Sequence, residues 1–535
     1  MDYYCAKPRK RVVFTPCSRS APSVQLRLSN MEAASKKTTG AFYTPDDVAA
    51  SLVKWVVRRP GDRMLDPACG DGRFLTHHPN CVGVEQDTRA IRAANSRAPW
   101  AEIQPGNFFV WAQNTSEKYE CAAGNPPFIR YQRFNGNIRK HALEYCKKLG
   151  ADFSALTSSW APFLVAAASL LKPEGRMAFV VPAEIGHAPY AVPLLNFLIK
   201  NFAIVHLIAV QRKIFPYLSE DCWLLYLEGF GAGTQSIRFS QRTSFSRSLT
   251  PPEDYELITV EDWRLFNFRL RPFLVAEKIR KLYRDLADSP SSMLFGSLAD
   301  VGIGYVTGAN DFFHLRPSQA IRARIPDKFF YPAIRNGRML CGNAITRSTV
   351  RSWLERDYPV LLLRIEKEDV LPDPVKMYLE SPEGKVARET YKCRVRNPWY
   401  VVPDVKVPDA FLSYMNSGEP RLLANLAGCV CTNSVHAVRL KKDVSIVVLQ
   451  EKWNDPLTRL SCEIEGHPLG GGVLKVEPGE AKKIVIRGNL PIEPDERIKL
   501  EEGIAFMRRW RHHALSAGGL RMDESQRGFA GICRR

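Results

Sequence analysis

From residue 37 to about 230, short apolar runs alternate with stretches of helical periodicity, and this alternation constrains the fold more than any other feature of the chain. Parallel strands cannot be joined by tight turns. Each pair needs a crossover, usually a helix, so the alternation implies a wound α/β sheet covered on both faces. Strands are expected at Arg63–Asp66, Cys81–Glu85, Ala101–Gln104, Cys121–Gly124, Arg176–Val181, Ala203–Val210 and Cys222–Glu228. Helices fit Pro45–Val57, Arg73–His77, Thr88–Asn95 and Trp160–Leu171, the last closed by Lys172-Pro173-Glu174-Gly175, where proline and glycine stop a helix. Ligands of open α/β sheets bind at the carboxyl ends of the strands, so the polar motifs there define the candidate site.

The first strand runs into Asp66-Pro67-Ala68-Cys69-Gly70-Asp71-Gly72. Gly70 and Gly72 let a ligand approach the backbone and turn the chain toward the following helix. A dinucleotide fingerprint would need a third glycine where Leu75 stands. An acid placed before the glycines instead suits a ligand with a cationic ammonium or sulfonium end and no pyrophosphate. Glu85 ends the second strand about twenty residues on, the spacing at which a carboxylate clamps ribose hydroxyls. Asn107 and Phe108 follow the third strand, where they can hydrogen-bond and pack on an adenine ring. Upstream, Thr44 in Gly40-Ala-Phe-Tyr-Thr44-Pro45 is a candidate N-cap for the first helix. Taken singly, Glu85 reads equally as a surface acid, Phe108 as a core ring and Thr44 as only a cap. The information lies in the ordered set at successive strand ends.

The fourth strand ends in Gly124-Asn125-Pro126-Pro127-Phe128. Asn125 offers a side-chain carbonyl, Pro126 has no N–H and so presents mainly a carbonyl, and the double proline keeps Asn125 extended. Phe128 adds a flat face. The combination suits holding a planar exocyclic amine so that its nitrogen can attack. Asn-Pro and Pro-Pro are also ordinary loop punctuation, so the tetrad alone leaves a strand-ending turn open.

The chain has 535 residues, enough for two or three domains. After Gly229-Phe-Gly-Ala-Gly233 the pattern changes to short runs with many prolines and basic residues, and Ser248-Leu-Thr-Pro-Pro252 reads as a linker near the seam. The expected division is a flexible basic leader over 1–36, an α/β domain over 37–230 and an α+β domain over 231–535. A formal net charge of +19 favours a polyanionic partner, nucleic acid before an anionic membrane. Trp160–Leu171 is too short to span a bilayer, and Met1–Lys37 lacks the apolar core of a signal peptide. The 13 cysteines form no CxxC pair, with Cys429 and Cys431 nearest each other. Reduced thiols in a cytoplasmic protein are therefore expected, with no disulfide scaffold and no metal site.

The motif order resembles the S-adenosylmethionine-dependent DNA adenine-N6 methyltransferases, specifically the gamma arrangement of TaqI-like enzymes, over roughly residues 37–500. The resemblance implies a Rossmann-like, seven-stranded methyltransferase sheet followed by a target-recognition domain. It implies that Thr44, Asp66, Ala68, Gly70, Gly72, Glu85, Asn107 and Phe108 bind S-adenosylmethionine. The family often carries Asp where Asn107 stands. It implies that Asn125, Pro126, Pro127 and Phe128 form the catalytic tetrad and that Phe163 and Phe215 line the target-base pocket with Phe128. Gly302–Phe313, Pro332–Asn336, Tyr391–Tyr400 and Gly470–Lys475 are similar to segments of the family's recognition module. Within them Arg394, Arg396, Trp399 and Tyr400 interleave cations with rings, which suits phosphate contact and stacking; a solvated strand with its aromatics inward is the alternative. The implied partners are duplex DNA and a separate restriction endonuclease or other defence-system subunits. The implied location is the cytoplasm, with the nucleoid.

Three other readings share these residues. The same tetrad serves enzymes that methylate RNA bases or a protein glutamine. Pro372-Asp373 with Glu383-Gly-Lys385 loosely fits a fused nuclease, although Pro382 stands immediately before the would-be catalytic strand. A catalytically idle DNA-binding subunit would lack reason to keep both the tetrad and the cofactor loop.

Overall fold

The computed structural model describes residues 44–513 apart from 217, 219, 248, 249 and 490. The leader expected over 1–36, Gly40–Tyr43 and part of the Ser248–Pro252 segment lie outside the described residues. The first half is built on one large sheet. Its strands are β1 (Met64–Asp66), β2 (Cys81–Glu85), β3 (Glu102–Pro105), β4 (Tyr119–Gly124), β5 (Leu171–Pro182), β6 (Phe202–Val210), β7 (Cys222–Phe230), β8 (Ser236–Arg242) and β9 (Glu256–Thr259). They lie in the order β3-β2-β1-β4-β5-β7-β6-β8-β9. The first five are parallel; β7 runs antiparallel between β5 and β6.

Side chains alternate across this sheet as strand geometry requires. Leu65, Ala122, Phe179 and Val181 face one core, and Met64, Cys121, Ala178 and Val180 face the other. Strand order reverses between β1 and β4, so the carboxyl ends of these two strands open the crevice in which such sheets bind ligands. Asp66 and Asn125 sit at that point.

The seven strands expected from sequence are present, and the sheet is larger than seven. β8 pairs with β6 and β9 with β8, so the sheet runs past residue 230 to Thr259. The reason is packing: Ile237, Phe239 and Ile258 complete the same core as β6 and β7. Helices Glu277–Ala287, Pro456–Glu465 and Pro494–Arg511 also add Ile279, Leu460 and Ile504 to that core. The expected helix Trp160–Leu171 ends at Ala168. Leu171 already pairs with Tyr119, and Lys172–Gly175 bulges within β5 with Glu174 at φ +62°.

The second half is α+β. A five-stranded sheet orders Ala299–Ile303, Val435–Leu440, Ala410–Ser413, Leu422–Asn425 and Ala344–Ile345, beside smaller sheets of four and three strands. Asp373–Leu379 and Pro382–Arg388 are helices, so the Pro-Asp…Glu-Gly-Lys stretch has no nuclease strand. Gly304 lies where any Cβ would overlap the carbonyl oxygens of Cys431 and Thr432, beside the bridge from Tyr305 to Thr432. Gly304→Ala is therefore expected to destabilise the protein by about 3 kcal/mol, because backbone atoms cannot move aside as a flexible side chain would. A urea midpoint unchanged by the substitution would contradict this packing.

Candidate active site

Asp66 ends β1 and is buried. One carboxylate oxygen accepts from the Ala68 amide at 3.2 Å; the other is buried with no hydrogen-bond partner among the described residues. Burial, reinforced by Glu85 and Asp71, pushes its pKa up to about 8. Gly124, the last residue of β4, lies so close that a Cβ there would sit 2.8 Å from Asp66 Oδ1. Gly70 and Gly72 adopt φ values of +53° and +83°, which favour glycine, and the space beside Gly70 is open. A Cβ at Gly72 would come within 3.0 Å of Ala94 Cα, so the loop rests directly on the helix Thr88–Arg97.

Glu85 holds this loop from the next strand. One of its oxygens accepts from the Gly70 amide at 3.0 Å, and the other from Gln86 and Asp87 at 2.7 and 2.8 Å. Arg73, expected only to open a helix, reaches Asp71 at 3.3 Å and donates to the Thr44 carbonyl at 3.3 Å, tying the first motif to the glycine loop.

Two expected roles change. Thr44 is not the N-cap of the first helix, which begins at Asp46 after Pro45 without a side-chain cap. Its buried hydroxyl accepts instead from Asn125 Nδ2 at 3.2 Å, joining two motifs 81 residues apart. Asn107 is an N-cap: its Oδ1 accepts from Phe109 and Val110 at 3.0 and 3.4 Å at the start of helix Phe108–Asn114. That oxygen is engaged with backbone and is not presented to an adenine ring.

Phe163 stacks on Phe108 with centroids 5.2 Å apart and meets Phe109 edge-on at 4.6 Å. It thus forms part of the wall beside β3. Phe128 is half-buried where the two cores of the sheet meet, and it packs against the cluster that contains Phe215. Phe215 lies on the segment between β6 and β7. Arg130, two residues past Phe128, pairs with Glu220 of that segment at 3.1 Å, bridging the two loops.

Ser159 carried no sequence signal, yet it shapes the tetrad's exit. Its hydroxyl donates to the Pro127 carbonyl and accepts from the Ile129 amide at 3.0 Å, while its own amide donates to the Ile129 carbonyl at 2.9 Å. Ser159→Ala removes the first two and is expected to lower kcat about tenfold, because small misplacements of reacting groups cost orders of magnitude. Single-turnover rates that match the parent would show the turn to be self-supporting.

In the second half, Arg396 donates to the carbonyls of Val306 and Thr307, the latter at 2.6 Å, and burial lowers its pKa. Trp399 packs on Phe312 at 5.7 Å, and Tyr400 on Trp399 at 5.9 Å. Arg396 and Trp399, two of the four expected DNA contacts, thus join Tyr391–Tyr400 to Gly302–Phe313, and Tyr400 packs on Trp399. Arg394 is exposed, as are neighbouring Tyr391, Lys392 and Val395. Val395 and Lys392 line an open cleft of about 420 Å³ with Ile303 and Tyr305.

Residues 74–215 match the Eco57I restriction-modification methylase family, residues 26–95 the N-6 DNA methylase family, and residues 269–507 the C-terminal domain of type II methyltransferase M.Eco57I. With these matches the chain is an adenine-specific DNA methyltransferase, similar to those of restriction-modification systems. Type II methyltransferase M.AccI of Acinetobacter calcoaceticus is 22% identical over 84% of this methyltransferase and 85% of its own length. A tRNA1(Val) (adenine(37)-N6)-methyltransferase of Actinobacillus succinogenes is 34% identical over 27% of this chain and 61% of its own. The solved DrdV–DNA complex aligns with 90% of this methyltransferase and 59% of that chain, at 13% identity and a TM-score of 0.46. No described helix is long and apolar enough to cross a membrane.

Proposed function

We propose that this methyltransferase acts at a specific duplex sequence, in the gamma motif arrangement, on an adenine flipped out of the helix. The observation that carries this reading is the hydrogen bond from Asn125 Nδ2 to Thr44, which joins the tetrad to the first motif and engages the amide nitrogen with protein. With the Pro126 carbonyl, Asn125 takes the two N–H groups of the target amine, drawing the nitrogen lone pair out of conjugation with the ring. Phe128 stacks on the extruded base, with Phe215 facing it. Stacking of about 1–3 kcal/mol per ring offsets an extrusion cost of a few kcal/mol.

The donor set fits S-adenosylmethionine. Asp66 has a buried, unpartnered oxygen for a cationic end, Gly70 leaves open space, and Glu85 retains lone pairs for ribose hydroxyls. When bound, that cofactor supplies an activated methyl group. Phe108, with Phe163 behind it, forms the apolar wall for its adenine. Residues beyond the large sheet, from about 269, carry target recognition, with Arg394 and its exposed neighbours toward DNA. A separate endonuclease or defence-system subunit, and a cytoplasmic location with the nucleoid, follow from this reading.

The test is expression in cells lacking adenine methylation, with long-read sequencing of their DNA. N6-methyladenine confined to one sequence context is expected. Transfer of labelled methyl to tRNA and none to duplex DNA would overturn the proposal in favour of the RNA reading, which the tRNA-enzyme likeness of the catalytic half keeps in view.

A further inference from the structure

The segment from Gln211 to Asp221 carries Phe215 and is closed at both stems by one residue from the far end of the described chain. His513 Nδ1 lies 2.6 Å from the Gln211 carbonyl, and Nε2 lies 3.2 Å from Asp221 Oδ1. Gln211 returns the contact by donating from its side-chain amide to the Arg509 carbonyl at 3.2 Å, satisfying an end group of helix Pro494–Arg511 that has no partner within the helix. Two residues before His513, the buried Arg511 guanidinium binds Glu463 and the carbonyls of Ser417, Gly418 and Gly472. Gly472 also needs to be glycine, since a Cβ there would overlap the His512 ring. A short path therefore joins the Gly470–Gly472 loop of the recognition half to the Phe215 loop.

We propose that His513 is a positioning residue for methyl transfer: by clipping both stems of the Phe215 loop to the recognition half, it sets the second face of the target-base pocket. The inference rests on the function proposed above. The chemistry of the clip specifies its protonation. A carbonyl only accepts, so Nδ1 carries a proton; Nε2 faces a carboxylate, so the contact is attractive when that nitrogen is protonated too. Asp221, with the Gln211 carbonyl, raises the His513 pKa against burial and the opposing charge of Lys213. The other ionisable groups around the clip are His187 and Arg271, which line a small cavity beside Gln211 and Asp221, and Arg511 and His512 on its own helix end. Because the pKa is raised, the clip is complete below the ordinary histidine pKa and is lost as pH rises through the raised value.

The experiment compares the parent with His513→Ala and Asp221→Asn. It measures kcat at saturating S-adenosylmethionine across pH, KM for DNA, thermal midpoint, and fluorescence of 2-aminopurine placed at the methylated adenine. Expected are a kcat loss of about tenfold or more in both variants, a weaker 2-aminopurine signal, KM for DNA within about twofold, and in Asp221→Asn an alkaline limb of kcat displaced to lower pH. Parent-like kcat and 2-aminopurine signals in both variants would overturn the proposal, as would a loss that tracks only the thermal midpoint with an unmoved pH limb. If the parent itself transfers no methyl to DNA, the function proposed above fails first.

Discussion

Asn125→Ala is expected to lower the single-turnover rate of methyl transfer by about a thousandfold or more, while the Kd for S-adenosylmethionine stays within about threefold. The size follows from the role: preorganised groups aimed at the reacting centre of an enclosed site are worth factors of about 10²–10³ each. Alanine removes the acceptor for one amine hydrogen and also the partner of Thr44. The cofactor loop depends on neither, being held through Asp66, Ala68, Gly70 and Glu85. Asn125→Asp is the informative companion, because it keeps an acceptor and loses the donor to Thr44. Label transfer under single-turnover conditions and calorimetric titration of the cofactor measure the two quantities. Transfer at the parental rate in the alanine variant would remove the tetrad from the mechanism.

Affinity for S-adenosylmethionine is expected to rise as pH approaches 8. In the cofactor-free protein burial holds the Asp66 pKa at about 8, against an ordinary value of 3.8. A cationic ligand end pairs with the carboxylate, so binding must release a proton below that pH. The association constant should rise by up to about tenfold per pH unit until the group is ionised. Stability moves the other way. The folded pKa is raised above the unfolded one, so the folded state holds the extra proton between those values. The contribution is fully present below about pH 4 and is lost as pH rises through about 8. Asp66→Asn should flatten this slope in thermal midpoints and weaken cofactor binding by about a hundredfold, the loss expected for a charge-assisted contact. A pH-independent Kd between pH 6 and 8 would show, as an order-of-magnitude limit, that Asp66 is already ionised before binding.

The strands of the sheet were legible because buried parallel strands are apolar runs and each ends at a motif. β8 and β9 were not, since Ser236–Arg242 and Glu256–Thr259 are partly polar and end in no motif. Asn107 shows a different limit. The same Gly-Asn-Phe sequence serves a ligand contact or a helix N-cap, and the helix after it was not expected. Phe163 stands on a helix whose residues are all buried, and such an apolar helix presents rings to several neighbours, so the sequence does not say which of them it meets. Arg396 and Trp399 also hold contacts at 306–313 that lie too far along the chain to be visible locally. Ser159 and His513 had no signal at all, since each acts through contacts 30 or 302 residues away.

The helices Pro456–Glu465 and Pro494–Arg511 return to the core of the first half after the five- and four-stranded sheets of the second half have been built. In engineering terms the sheets of the second half are an insert, threaded out of the catalytic body and back into it. A chimaera that exchanges everything after residue 230 imports foreign helices into a resident core and should be insoluble. One that exchanges only the segment between Ala287 and Pro456 keeps both ends of that core at home. On the recognition role proposed above, sequence preference is then transplantable as a cassette with two seams, with His513 in the recipient and the Arg511 partners Ser417 and Gly418 in the cassette.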